Sequence, residues 1–175
     1  MDQDDPVLAL DIMTENPRIL TPDATVGDAA RLMRDIDSGI IPVVDSLDHQ
    51  LLLGVVTDRD IAIRIVAEGK DGGSRIDSCM TTGVATVNTN DSLSEVLRVM
   101  RQERIRRVPV VDREGRLAGI IAQADLAVDY AARNFERESE LADTIERISE
   151  PAEPRQPAPL NGRPGTAIDH RDQWF

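Results

Sequence analysis

The stretch "GVVTDRDIAI", residues 54–63, and the stretch "GIIAQADLAV", residues 119–128, decide how this chain is read. Each opens with Gly and an apolar pair and reaches an Asp six residues after the Gly, as expected of a buried strand that turns into a helix. Only the first corner carries a hydroxyl: Thr57 there is Ala122 in the second.

The correspondence extends outward. Met13-Thr14 matches Met80-Thr81, Met33 matches Met100, and "IPVVD" at 41–45 matches "VPVVD" at 108–112, at a constant offset of 67 residues. Beyond the hairpin the offset falls to 65, so the second copy has a turn two residues shorter. A repeat of this kind is one supersecondary unit used twice. Each copy reads as a short extended segment, a helix, two strands joined by a tight turn, and a second helix, the latter starting near Asp58 or near Gln123.

"TVGDAARLMRDI" opens with Thr25 and Asp28, and "SLSEVLRVMRQE" opens with Ser92 and Glu95. Both pairs suit a reciprocal capping box. Val26, Ala29, Ala30 and Met33, or Leu93, Val96, Leu97 and Met100, then share one helical face. Pro42 and Pro109, inside strand patterns, are expected at an edge or a strand start, and Gly69 is expected to stop the first copy's second helix.

At roughly 60 residues, neither copy holds enough apolar surface for a core of its own. The expected fold is therefore α+β: two β-α-β-β-α units related by a pseudo-twofold axis, with two related clefts where they meet. The expected boundaries are 7–69 for the first unit and 74–130 for the second. A helical extension over 131–149 follows, with Ala131, Phe135, Leu141, Ile145 and Ile148 near helical spacing, and then a disordered Pro-rich tail over 150–175.

Composition excludes several functions. Aromatic residues are 2% of 175, so the core is aliphatic and few rings are present to stack a ligand. A net charge of −12 repels polyanions, which argues against nucleic acid as a partner. One Cys and two His exclude a disulfide framework and leave little for a metal site; Cys79 reads as a small core residue. The acidic opening "MDQDDPVLALDIM" lacks the basic residues of a secretory signal and an apolar run long enough to span a membrane, so a cytoplasmic protein is expected. No catalytic set can be assembled: Asp58 and Asp60 point apart at i and i+2, His49 lies in a polar turn and His170 in the tail.

"DIMT" at 11–14, the doubled apolar-Pro-apolar-apolar-Asp strand, and Gly-apolar-x-Thr-x-x-Asp leading into a helix together resemble a tandem pair of CBS domains, the modules named after cystathionine β-synthase. "TDRDI" and "IRRVPVVD" are typical of stand-alone bacterial members. The resemblance covers roughly residues 7–130. It implies an adenine nucleotide (AMP, ADP, ATP or S-adenosylmethionine) bound between the units as a regulatory ligand, a homodimer, and a conformational change passed to a protein partner.

Carried over residue by residue, the resemblance makes Asp60 the acceptor of the ribose hydroxyls and Thr57 the hydroxyl at the ribose-phosphate junction. Ile41 and Pro42 would line the adenine slot, Ile19 to Thr21 would offer backbone groups to the base edge, and Arg106 or Arg107 would meet the phosphates. The second site would hold Asp125, Val108 and Pro109. With Ala122 it lacks one hydrogen bond to a charged group, a loss of about 1.5–3 kcal/mol, so the first cleft is expected to dominate. A plain N-cap would also account for Thr57 and Asp60. The alternative function is a nucleotide-free dimeric scaffold working through its acidic helical extension.

Overall fold

The computed structural model describes residues 7–126 and 145–147, and both copies of the repeat lie within them. Helix α1 (Ala9–Ile12) and strand β1 (Thr14–Glu15) lead in, followed by α2 (Val26–Asp35), β2 (Ile40–Val44), β3 (Leu52–Thr57) and α3 (Asp58–Ile61). A π-helical turn over Ala62–Val66 continues α3, and a 3-10 turn over Ile76–Ser78 opens the second copy. Then come β4 (Thr81–Thr82), β5 (Val87–Asn88), α4 (Leu93–Glu103), β6 (Arg107–Val111) and β7 (Leu117–Ala122), with residues 123–126 again helical. This is the α+β fold with a doubled unit that the repeat implies. No helix among the described residues is long and apolar enough to cross a membrane.

The two copies exchange their lead-in segments. Strand β1 pairs antiparallel with β7 of the second copy, Thr14 opposite Ile120, while β4 pairs with β3 of the first, Thr81 opposite Val55. The sheets accordingly run β1-β7-β6-β5 and β2-β3-β4. The same exchange holds in the cores: Ala9 and Ile12 pack with Val96, Met100 and Ile121, whereas Ile76 and Cys79 pack with Ala29, Ile41 and Val56. Glycine permits it. A Cβ on Gly54 would lie 2.1 Å from the Thr81 carbonyl oxygen, and one on Gly119 would lie 2.6 Å from Met13 Sδ and 2.9 Å from the Thr14 carbonyl oxygen. The Gly that opens each corner is thus the place where the other copy's backbone crosses.

Capping is less symmetric than the sequence suggests. At α2 the box is complete: the Asp28 N–H donates to Thr25 Oγ1 at 3.1 Å and the Thr25 N–H donates to Asp28 Oδ2 at 3.1 Å. At α4 only Ser92 plays its part, accepting from the Glu95 N–H at 3.3 Å; the Glu95 carboxylate is taken by Arg98, whose Nε lies 2.7 Å away. On the apolar faces, Leu93, Val96, Leu97 and Met100 are all buried, but Ala30 is exposed. Pro42 and Pro109 sit mid-strand, Pro42 on β2 at the edge of its three-stranded sheet as expected and Pro109 on β6 between β7 and β5. Their outer neighbours begin pairing just past them, Leu20 with Val43 and Val87 with Val110, so no ladder donor is missed. Gly69 ends the first copy's helix at φ +68 as expected. Of the extension only residues 145–147 are described; they are helical, and Ile145 packs against the second core. Ala131, Phe135, Leu141, Ile148 and the tail lie outside the described residues.

Two outcomes follow. Gly54→Ala forces a methyl group onto a backbone carbonyl and should cost about 1–3 kcal/mol in chemical denaturation, as overpacking does, whereas Gly72→Ala, whose added Cβ meets ordinary contacts, should change stability by less than about 0.5 kcal/mol. The hydrogen bond from Thr25, then the one from Arg31, holds the Asp28 carboxyl at about 2 against an ordinary 3.8. Its contribution is present above the unfolded value and is lost as pH falls through the folded one, so Asp28→Asn should flatten the acid dependence of Tm between about pH 4 and about pH 2.

Candidate functional site

Strand pleating sorts the predicted site residues first. Side chains alternate across a strand, so Ile41 and Val43, like Val108 and Val110, point into the two cores and are fully buried. Ile40 and Pro42 on β2, and Arg107 and Pro109 on β6, occupy the opposite faces, toward the join between the copies. The expectation that Ile41 and Val108 line a ligand slot is therefore corrected: they are core residues, and Ile40 and Pro42 face the cleft.

At the first corner Thr57 ends β3 and caps α3. Its hydroxyl accepts from the Asp60 N–H at 3.0 Å and donates to Asp60 Oδ2 at 2.7 Å, and the Thr57 N–H donates to the same oxygen at 3.1 Å. The other oxygen, Oδ1, faces the Thr81 hydroxyl at 3.4 Å and the Arg64 guanidinium at 3.5 Å. A carboxylate offers about four lone-pair sites; here the chain donates three hydrogen bonds to them, and the Arg64 guanidinium stands beside Oδ1 as an ion-pair partner. The Asp60 side chain is only 14% exposed as a result. The nearby Arg59 N–H is likewise met, by Asp58 Oδ1 at 2.7 Å.

The second corner has the same backbone and a different outcome. Ala122 has no hydroxyl to tie the carboxylate down. Asp125 Oδ2 accepts the Ala122 N–H at 2.9 Å, and Oδ1 has no partner among the described residues. Asp125 borders a cleft of about 360 Å³, whose walls come from both copies: Thr14, Asn16, Pro17 and Arg18 from the first lead-in, Ile36 to Ser38, Ile40 and Pro42 from the first copy, and Arg107, Ile120 and Ala122 from the second. Residues 36–38 reach this wall because α2 ends in a left-handed residue, Asp37 at φ 51, which turns the chain toward β2. An adjoining cleft of about 360 Å³ shares Arg107 and Ala122 and adds Arg106, Gln123, Ala124 and Ile145. Arg18, Arg106 and Arg107 form no ion pair among the described residues, so the trough is lined with available cations.

The structure thus gathers Pro42, Arg107 and Asp125 around one cleft, places Arg106 in the adjoining one, and leaves Thr57 and Asp60 outside the lining of both. Ile19 and Thr21 are also outside it. Leu20 between them spends both backbone groups on β2, donating to the Pro42 carbonyl and accepting from Val44, and the Thr21 hydroxyl bonds Asp23, holding that carboxyl below its ordinary value. The lead-in residues that reach the cleft are Asn16 to Arg18. Pro109 is buried on the joining face without lining either cleft. Cys79 is a core residue, its thiol pushed up by burial and then by the Asp60 charge. Residue-level reading missed Asn16, Arg18, Ile40 and Arg64; the alternation of β2 would have pointed to Ile40, while the others required knowing that lead-ins are exchanged.

A family model described as CBS domain matches residues 9–67 and 75–130. The CBS domain-containing protein YhcV of Bacillus subtilis is 41% identical over 119 residues, 68% of this chain and 82% of that protein. The crystal structure of CBSX2 in complex with AMP superposes with a TM-score of 0.66 at 27% identity, covering 74% of this chain and 99% of that one. The CBS domain pair of MJ0100, in complex with 5-methylthioadenosine and S-adenosyl-L-methionine, gives a TM-score of 0.64 at 27% identity over 74% of this chain and 99% of that one.

The unequal corners have a stability signature. Thr57→Ala removes a hydroxyl that caps α3 and should cost about 1 kcal/mol, whereas Ala122→Thr supplies the missing cap and should add about 0.5–1 kcal/mol; paired urea denaturation curves measure both.

Proposed function

The chain belongs to the CBS domain family, and on that premise we propose that it is a regulatory module binding an adenine nucleotide at its second corner, in the trough bordered by Asp125. The single observation carrying this reading is that Oδ1 of Asp125 has no partner among the described residues and lies at the wall of a cleft of about 360 Å³ built from both copies. That volume falls in the range of small-molecule sites. In this reading Asp125 accepts the vicinal ribose hydroxyls, as a carboxylate with vacant lone pairs can. Ile40, Pro42 and Ile120 supply an apolar slot for the base, and the backbone of Asn16 to Arg18 meets its edge. Arg107 takes the first phosphate, with Arg106 in the adjoining cleft available to a longer chain. CBS proteins of similar fold crystallised with AMP or with S-adenosyl-L-methionine support the ligand class.

Regulation follows from where the walls come from. A ligand touching residues 14–18 and 36–42 of one copy and 107–125 of the other favours the arrangement of copies that fits it, and can shift the equilibrium only by that difference in affinity. A homodimer carries the change outward in this proposal. Exposed Ile63 and Val66, 51% and 67% accessible on one helical turn, are apolar groups suited to a contact with a second copy or with a protein target. The alternative of a nucleotide-free scaffold draws its support from the first corner, whose acceptor groups the chain fills by itself.

Isothermal titration with AMP, ADP, ATP and S-adenosylmethionine tests the proposal. At least one should bind below millimolar, Asp125→Ala should weaken it by about 10- to 100-fold, and Asp60→Ala should change it by less than about threefold. No binding by any of the four, or an Asp125→Ala variant with unchanged affinity, sides with the scaffold.

A further inference from the structure

We infer that Arg64 is the residue that keeps the first corner from accepting a ribose, so that each chain carries one nucleoside site instead of two; the inference rests on the reading of Asp125 given above. Arg64 lies one helical turn beyond Asp60 and reaches back over it. One nitrogen sits 3.5 Å from Asp60 Oδ1, and the other donates to the carbonyls of Cys79 and Met80 at 2.6 and 2.9 Å. Those carbonyls belong to the exchanged lead-in just before β4. The guanidinium therefore pins together the three pieces that would form a ligand site by analogy with the Asp125 cleft: the corner carboxylate, the helix after it, and the lead-in of the other copy. Thr81, the counterpart of the cleft-lining Thr14, closes the same side with its hydroxyl 3.4 Å from Asp60 Oδ1.

The repeat itself supplies the comparison. At the offset of 65, Arg64 corresponds to Asp129, so the second copy has a carboxyl where the first has a guanidinium. Asp58, at the start of α3, corresponds to Gln123, and Gly39, against which the Asp58 carboxylate lies, corresponds to Arg106. A Cβ on Gly39 would be 2.8 Å from Asp58 Oδ2, so the acid occupies the space above the first helix start. Among the described residues, the first corner thus presents a carboxylate partnered on both oxygens and a fixed anion, where the second presents a carboxylate oxygen without a partner and, in Arg106, a guanidinium without an ion pair. Thr57 alone does not explain the difference, because it addresses only Oδ2 and leaves Oδ1 to Arg64 and Thr81.

Native mass spectrometry of the full chain titrated with AMP counts sites directly. Wild type should bind one AMP per chain, and Arg64→Ala should bind a second, with the new site lost when Asp60→Ala is added. Arg64→Gln keeps donors for the Cys79 and Met80 carbonyls while removing the charge, and should show the same gain if Arg64→Ala fails to fold. In the Asp125→Ala background either change should raise AMP affinity by about tenfold or more. Two folded Arg64 variants with no added site, or a wild type that already binds two, would overturn the inference. A wild type that binds none while an Arg64 variant binds one would instead sink the Asp125 reading and leave this one standing.

Discussion

The crossing of one backbone over a glycine of the other repeat is the constraint from which this structure follows. Thr81 passes Gly54, and Thr14 passes Gly119, at distances no side chain tolerates. Each sheet is completed by the lead-in of the opposite copy, and each core holds a helical turn from it. Neither repeat is a folding unit by itself. The join between them consequently brings together segments far apart in sequence, and the walls of the Asp125 cleft form there.

Once the backbone is doubled, the two corners become an internal comparison in which only side chains vary. The copy with the hydroxyl uses it at home. Thr57 completes a capping box, draws Asp60 inward, and with Arg64 and Thr81 leaves the carboxylate 14% exposed. The copy without it holds its carboxylate, among the described residues, through the Ala122 N–H, and Asp125 borders the cleft. Internal hydrogen bonds to a charged group are worth about 1.5–3 kcal/mol each, as much as a ligand diol could return. A polar set that looks complete in sequence is thereby the one whose acceptors Thr57, Arg64 and Thr81 already occupy.

Much of this architecture is legible in the sequence because it rests on local rules. The offset repeat, the apolar faces of α2 and α4, the positive-φ stop at Gly69 and the burial of Cys79 all follow from spacing and residue type. The functional geometry rests on longer-range facts. Ile41 and Pro42 are adjacent letters but opposite faces of β2, and only the core decides which face is inside. Arg18 and Asp125 are over a hundred positions apart in sequence and share a cleft because β1 joins β7. Arg64 reads as one more exposed helix cation until the carbonyls of Cys79 and Met80 are seen beneath it. Glu95 fits the capping pattern and yet is captured by Arg98, since an exposed i, i+3 ion pair competes with the cap at similar energy.

The account turns on which of two nearly identical corners is vacant, and a crystal structure of the full chain grown with AMP answers that most directly. Density for the ribose should lie against Asp125, between residues 14–18 and 36–42, with the phosphate toward Arg107 and with Asp60 still held by Thr57 and Arg64. A nucleotide seated at Asp60 with Arg64 swung away, and nothing at Asp125, would contradict it.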